Sequence, residues 1–222
     1  MKNFLAFTLA ETLIVIGIIG VVAALTLPNL NSSTGDKEKV VKLKKIYSNL
    51  NDAMGRAIAV YGPYNEWNNN VTKAGDRLTE FMKLSKNCGV GSESCMETVA
   101  NTSLTNSPDM NIGSSSLESN YTFICADGTA VAISVQSNSI YVDIDGKNSG
   151  INKTGKDVFG FSINTSTGEI TPKGPRDDTD RALGEECLQL GGSNCTKWVI
   201  ENENLDYLKC SSKLSVSNIT CK

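Results

Sequence analysis

Phe7 to Pro28 reads FTLAETLIVIGIIGVVAALTLP, and the reading of this stretch decides the architecture. From Leu13 to Leu27 it holds no charged residue. At 1.5 Å rise per residue, a helix from Phe7 to Leu27 is roughly 30 Å long, enough for the hydrocarbon core of a bilayer. An ordinary secretory signal peptide has a shorter apolar stretch, about 7–15 residues, ending at a small-residue cleavage site. Two details separate this run from one: its length, and the carboxylate of Glu11 within its first turns. An ionised carboxylate in a bilayer costs about 2.5–3.5 kcal/mol even on the lenient insertion scale, so it is rarely there without a partner. A discarded leader has no use for such a group, whereas an assembling helix does.

Beyond Pro28 the chain reads Asn-Leu-Asn-Ser-Ser-Thr-Gly, which predicts a break or loosened turn. Residues 36–60 then regain helical periodicity, with Val40, Leu43, Tyr47, Leu50, Met54, Ala57 and Ile58 on one face. Tyr61-Gly62-Pro63 stops that helix. A short helix is expected around Lys73–Leu84, and a Ser-, Asn- and Gly-rich surface excursion runs on through Asn120. Tyr121–Cys125, Ala130–Val135 and Ser139–Ile144 are β-branched and aromatic runs joined by turn residues, Asp127-Gly128 and Gln136-Ser137-Asn138. Val158–Asn164 and Glu169–Pro172 form a further hairpin around Ser166-Thr167-Gly168. The expected fold is α+β, a long N-terminal helix packed on a small antiparallel sheet of four to five strands.

Composition narrows the chemistry. The formal net charge of −3 gives no basic footprint, so no nucleic-acid site is evident. The chain has no histidine, which excludes Ser-His-Asp and Cys-His catalysis and every His-ligated metal site. No nucleophile or metal constellation stands out, and the reading is that the protein is not an enzyme. All seven cysteines lie between Cys88 and Cys221, without the paired Cys-x-x-Cys knuckles of zinc sites. Disulfides formed outside the cytoplasm account for them best. Nearest-neighbour pairing is the simplest scheme: Cys88 with Cys95, Cys187 with Cys195, Cys210 with Cys221, leaving Cys125 over. Six cysteines allow 15 connectivities, so the others stay open, and an odd thiol is either free or paired between chains.

The stretch Ala6-Phe7-Thr8-Leu9-Ala10-Glu11 resembles the processing site of type IV prepilins and type II secretion pseudopilins. In that family a peptidase on the cytoplasmic face cuts before a Phe and methylates the new amino terminus, and a Glu stands fifth in the mature chain. The resemblance implies cleavage between Ala6 and Phe7, methylation of Phe7, and an assembly role for Glu11. Thr8 and Leu9 match the second and third mature positions, Pro28 falls where a helix-kinking proline is common, and Gly17 and Gly20 sit at customary glycines. One departure is Ala6, where the family usually has Gly. The match covers about 30 residues.

The resemblance implies a pilin-like fold in four parts: leader 1–6, membrane-spanning polymerisation helix 7–30, amphipathic continuation 31–62, and disulfide-stapled head 63–222. It implies a structural subunit of a pilus-like or secretion-pseudopilus filament, or alternatively a minor tip subunit whose head binds a secreted substrate or surface ligand. Partners would be identical or related subunits, the prepilin peptidase and an inner-membrane assembly platform. The chain would cross the bacterial inner membrane once with its head outside the cytoplasm. Lysine counting pulls the other way: residues 36–45 hold five Lys against two acids, which a positive-inside rule would place in the cytoplasm. The cysteines and processing site outweigh it.

A candidate metal site is the stretch from Asp143 to Asp157, where Asp143, Asp145, Asn148, Asn152 and Asp157 offer the oxygens Ca²⁺ prefers. Some pseudopilins bind calcium in a loop of their sheet, and this stretch is loosely similar. It is no EF-hand, since Lys147 takes the fifth position and the closing Glu is missing. The competing reading is a long turn whose Asp and Asn side chains cap the backbone. Trp198 and Tyr207 could line a groove, but aromatic side chains near a terminus more often pack against the sheet or helix.

Overall fold

The computed structural model describes residues 8–91, 95–96, 120–146, 152–177, 179–180, 183–184, 187 and 192–221, the side chains of 23–34 apart. The chain divides into two compact units, Met1–Glu38 and Lys39–Lys222. Helix α1, Leu9–Tyr61, contributes to both. The break expected after Pro28 is therefore corrected: the helix is uninterrupted there. Pro28 costs about 3 kcal/mol in a helix interior and Asn, Ser and Thr at most about 0.7 kcal/mol each, so the continuity of α1 here runs against local propensity. At Gly62 the helix does stop. That residue takes a left-handed φ of 84°, its N–H returns to the Ile58 carbonyl at 3.0 Å, and Pro63 follows.

The second unit is α+β. Its sheet is a six-stranded antiparallel meander with the strands side by side in chain order. The strands are β1 (Leu84–Val90), β2 (Tyr121–Cys125), β3 (Ala130–Ser134), β4 (Ser139–Asp143), β5 (Val158–Ile163) and β6 (Ile170–Pro172). Five strands fall within a residue of where alternation and turn chemistry put them. At the β2–β3 turn Gly128 supplies the φ of 88° that a side chain would resist. The sixth, β1, replaces the first part of the expected surface excursion; the remainder, 92–94 and 97–119, lies outside the described residues. The short helix expected over Lys73–Leu84 is α2, Val71–Thr79, and ends earlier. Asn70 caps it by accepting the Lys73 N–H at 2.9 Å.

Period-two alternation divides the strands between two apolar clusters. Phe123, Val131, Ile133, Ile140, Val142, Phe159 and Phe161 join a core with Leu43, Ile46, Leu50 and Ala57 of α1. Tyr47 stacks on Phe161 with centroids 5.4 Å apart. Each fully buried Leu or Ile contributes about 1.5–3 kcal/mol, so this face fastens residues 39–61 to the sheet. Residues 39–61 accordingly fall in the same compact unit as the sheet. The opposite parity carries smaller residues, Ala130 and Ala132 beside Tyr141, Val158 and Met96. The described residues also include the α-helices α3 (Thr196–Asn202) and α4 (Tyr207–Cys210). Thr196 Oγ1 accepts the Gly160 N–H at 2.9 Å, tying the start of α3 to β5.

Candidate functional site

In the first unit, nine large apolar side chains between Leu9 and Val22 stand 53–79% exposed. A Cβ added at Gly17 or Gly20 would meet nothing within 4 Å. These apolar side chains lie on every side of the helix over this stretch. Among the described residues no helix is long and apolar enough to cross a membrane. The span expected at 7–30 includes Phe7 and the side chains of 23–30, which lie outside them, as does Ala6. Pro28 sits inside α1, and its side chain is not described.

The first turn holds a feature missed in the sequence. Glu11 Oε2 accepts hydrogen bonds from the Thr8 N–H at 2.9 Å and the Thr8 hydroxyl at 2.8 Å. The Glu11 N–H donates back to Thr8 Oγ1 at 3.3 Å. This is a capping box, which satisfies two orphan donors of the helix start reciprocally. Its signal, Thr8-Leu9-Ala10-Glu11 ahead of an apolar run, was open to reading. The carboxylate therefore has a partner within its own chain, and both bonds fall on one oxygen.

The loop after β4 brings some of the expected calcium ligands together and spends them on itself. Asp143 is fully buried; its Oδ1 accepts the Gly146 N–H at 3.1 Å and its Oδ2 accepts from Asn152 Nδ2 at 3.2 Å. Asn152 thus presents a donor to Asp143 where a cation would need its oxygen. Asp157 accepts the Lys153 N–H, and Asp145 lies 3.8 Å from the Lys39 ammonium. Asn148 lies outside the described residues. Burial, then the neighbouring Asp145, pushes the Asp143 carboxyl up to about 7; burial also raises Asp157. Among the described residues no group of three or more His, Cys, Asp or Glu side chains is placed to hold a metal ion. Asp143, Asp157 and Asn152 thus each make at least one contact within the protein in this loop.

Three of the five lysines in the topology count are engaged with the head. Lys39 donates to the Lys156 carbonyl at 3.2 Å, Lys44 pairs with Glu203, and Lys45 meets Asp127 at 2.9 Å. Such exposed pairs are worth about 0–1 kcal/mol each, so they orient more than they stabilise.

The disulfides are those of the nearest-neighbour scheme: Cys88–Cys95, Cys187–Cys195 and Cys210–Cys221, with Cα separations of 5.8, 4.8 and 5.7 Å. Cys125 is free and buried, and burial, with Asp127 beside it, pushes its thiol up to about 12. A thiol so placed is not poised to pair with another chain.

Trp198 and Tyr207 are buried in the core. Trp198 Nε1 donates to Asn204 Oδ1 at 3.0 Å, and the Tyr207 hydroxyl donates to the Gly155 carbonyl. Comparison with family models, curated proteins and solved structures returns no match to this chain.

Proposed function

We propose that the chain is a filament subunit of the type IV pilin or type II secretion pseudopilin kind, cut at Ala6–Phe7 and assembled through the apolar part of α1. The observation that carries this reading is the run of nine large apolar side chains left 53–79% exposed between Leu9 and Val22. Burying one such side chain is worth about 1.5–3 kcal/mol, so the helix needs lipid or other helices around it. A filament supplies the helices, and the membrane holds the subunit beforehand. The α+β unit, with residues 39–61 laid on an antiparallel sheet, is compatible with a pilin-like head.

Glu11 fits the assembly step. Oε2 is engaged by Thr8, and Oε1 makes no hydrogen bond among the described residues, which leaves an acceptor for an incoming amine. Cleavage before Phe7 frees an amino group, and pairing it with Glu11 of the next subunit replaces two isolated charges by one ion pair. Such a pair is favourable inside an apolar bundle only when register is right, so it sets the axial stagger. The partners are identical or related subunits, the prepilin peptidase and an inner-membrane assembly platform. The head lies outside the cytoplasm, where its three disulfides can form and persist.

The test is Glu11→Val in a cell that assembles the filament. Membrane insertion is expected at the wild-type level and filaments are expected to be absent. Filaments of normal number and length from this variant would contradict the assignment.

A further inference from the structure

Between α1 and the sheet lies a cavity of about 420 Å³, within the size range of small-ligand sites. One wall is the helix face of Lys45, Asn49, Asp52 and Arg56, which recur at helical spacing. The facing wall is built from Phe81, Met82 and Lys83 ahead of β1, and from the β2–β3 turn beginning at Cys125. The Ala126 N–H joins those two segments through the Lys83 carbonyl at 2.9 Å.

The charges at this cavity do not cancel. Lys45 is matched by Asp127 at 2.9 Å, and Arg56 by Asp52 at 3.1 Å. Lys83 makes no ion pair among the described residues, so the residues lining the cavity carry one surplus positive charge alongside the apolar Phe81, Met82 and Cys125. Both carboxylates at the cavity are ion-paired, so the unmatched charge favours an anionic guest over a cationic one. We propose that this cavity binds a small carboxylate with an apolar body, its head group on Lys83 and its body against Phe81 and Met82. The Cys125 thiol, held protonated by burial, serves as apolar wall and not as a nucleophile. This inference stands apart from the filament reading, since every residue it uses lies in the second unit.

The test is calorimetric titration of the full chain, in nonionic detergent, with 3-phenylpropanoate, its primary amide and 3-phenylpropylamine. The carboxylate is expected to bind about tenfold more tightly than the amide, the worth of one charge-assisted hydrogen bond. Lys83→Gln is expected to remove that preference, and Lys83→Glu to transfer it to the amine. Lys83 is exposed, so both variants are expected to melt with the wild type. Equal affinity for acid and amide, an unchanged preference in Lys83→Gln, or no saturable heat from any probe would overturn the proposal.

Discussion

The Tyr121 ring occupies the space in which any residue but glycine at position 75 would carry its Cβ: that atom would stand 2.0 Å from Tyr121 Cγ. Around this contact the Tyr121 hydroxyl donates to Asp76 Oδ1 at 2.7 Å and accepts from Asn87 Nδ2 at 2.6 Å. Helix α2, β1 and β2 are thereby locked at one point. Gly75→Ala gains about 1 kcal/mol of helix propensity but must displace an aromatic ring in a packed core, which costs more. The expected net loss is about 1–2 kcal/mol, read from denaturant unfolding followed by tryptophan fluorescence. A variant as stable as wild type would show that the ring has room to move.

Tyr64 offers the opposite case. Its side chain is buried against Trp67, centroids 4.8 Å apart, yet its hydroxyl finds no partner among the described residues. Trp67 Nε1, beside it, does find one in the Gly62 carbonyl at 3.0 Å. Removing an unsatisfied buried hydroxyl while keeping the ring relieves a desolvation penalty. Tyr64→Phe is therefore expected to raise stability by about 1 kcal/mol, measured as a shift in the urea midpoint. A loss of stability would reveal a partner for that oxygen.

Asp143 sets a pH dependence whose sign follows from its burial. Its carboxyl is raised from the ordinary 3.8 to about 7 in the fold. A raised value means that its contribution is fully present below about pH 4 and is lost as pH rises through 7. Asp157, raised as well, acts in the same direction. In chelator-treated buffer the melting temperature should fall between pH 5 and pH 8, and Asp143→Asn should flatten part of that slope. A slope left unchanged in the variant would assign the titration elsewhere.

Most of the head was legible because its strands obey simple rules. Val131, Ile133, Ile140, Val142, Phe159 and Phe161 alternate with smaller or polar neighbours, and Asp127-Gly128 marks its turn openly. Strand β1 was not legible: Leu-Ser-Lys-Asn-Cys-Gly-Val has little β propensity, and its pairing with β2 slips register twice. It is a strand because β2 and the Cys88–Cys95 disulfide hold it, a tertiary cause with no local signature. The same limit applies to the loop after β4. Oxygen-rich composition announces a loop that needs many acceptors, but only coordinates tell whether Asp143 and Asn152 turn to a cation or to each other. Thr8 and Glu11, by contrast, formed a pattern whose local meaning was available from spacing alone.

Cys125 should behave as a hidden thiol. Alkylation of the native protein is expected to leave it unmodified, and alkylation after denaturation without reductant to label one cysteine per chain. Non-reducing peptide mapping should recover the other six in three short loops, each worth about 2.5 kcal/mol by loop-closure entropy. A peptide joining Cys125 to a second chain would contradict its burial.

The central claim is that the apolar helix is a processed assembly element and not a discarded leader. It is tested most directly by mass spectrometry of the N-terminal peptide of the protein recovered from membranes of its own cell. The account predicts a chain that begins at Phe7, carries one added methyl group on its amine, and retains Thr8, Glu11 and the apolar run. A chain beginning at Met1, or one starting beyond Leu27 with the apolar run gone, would contradict it.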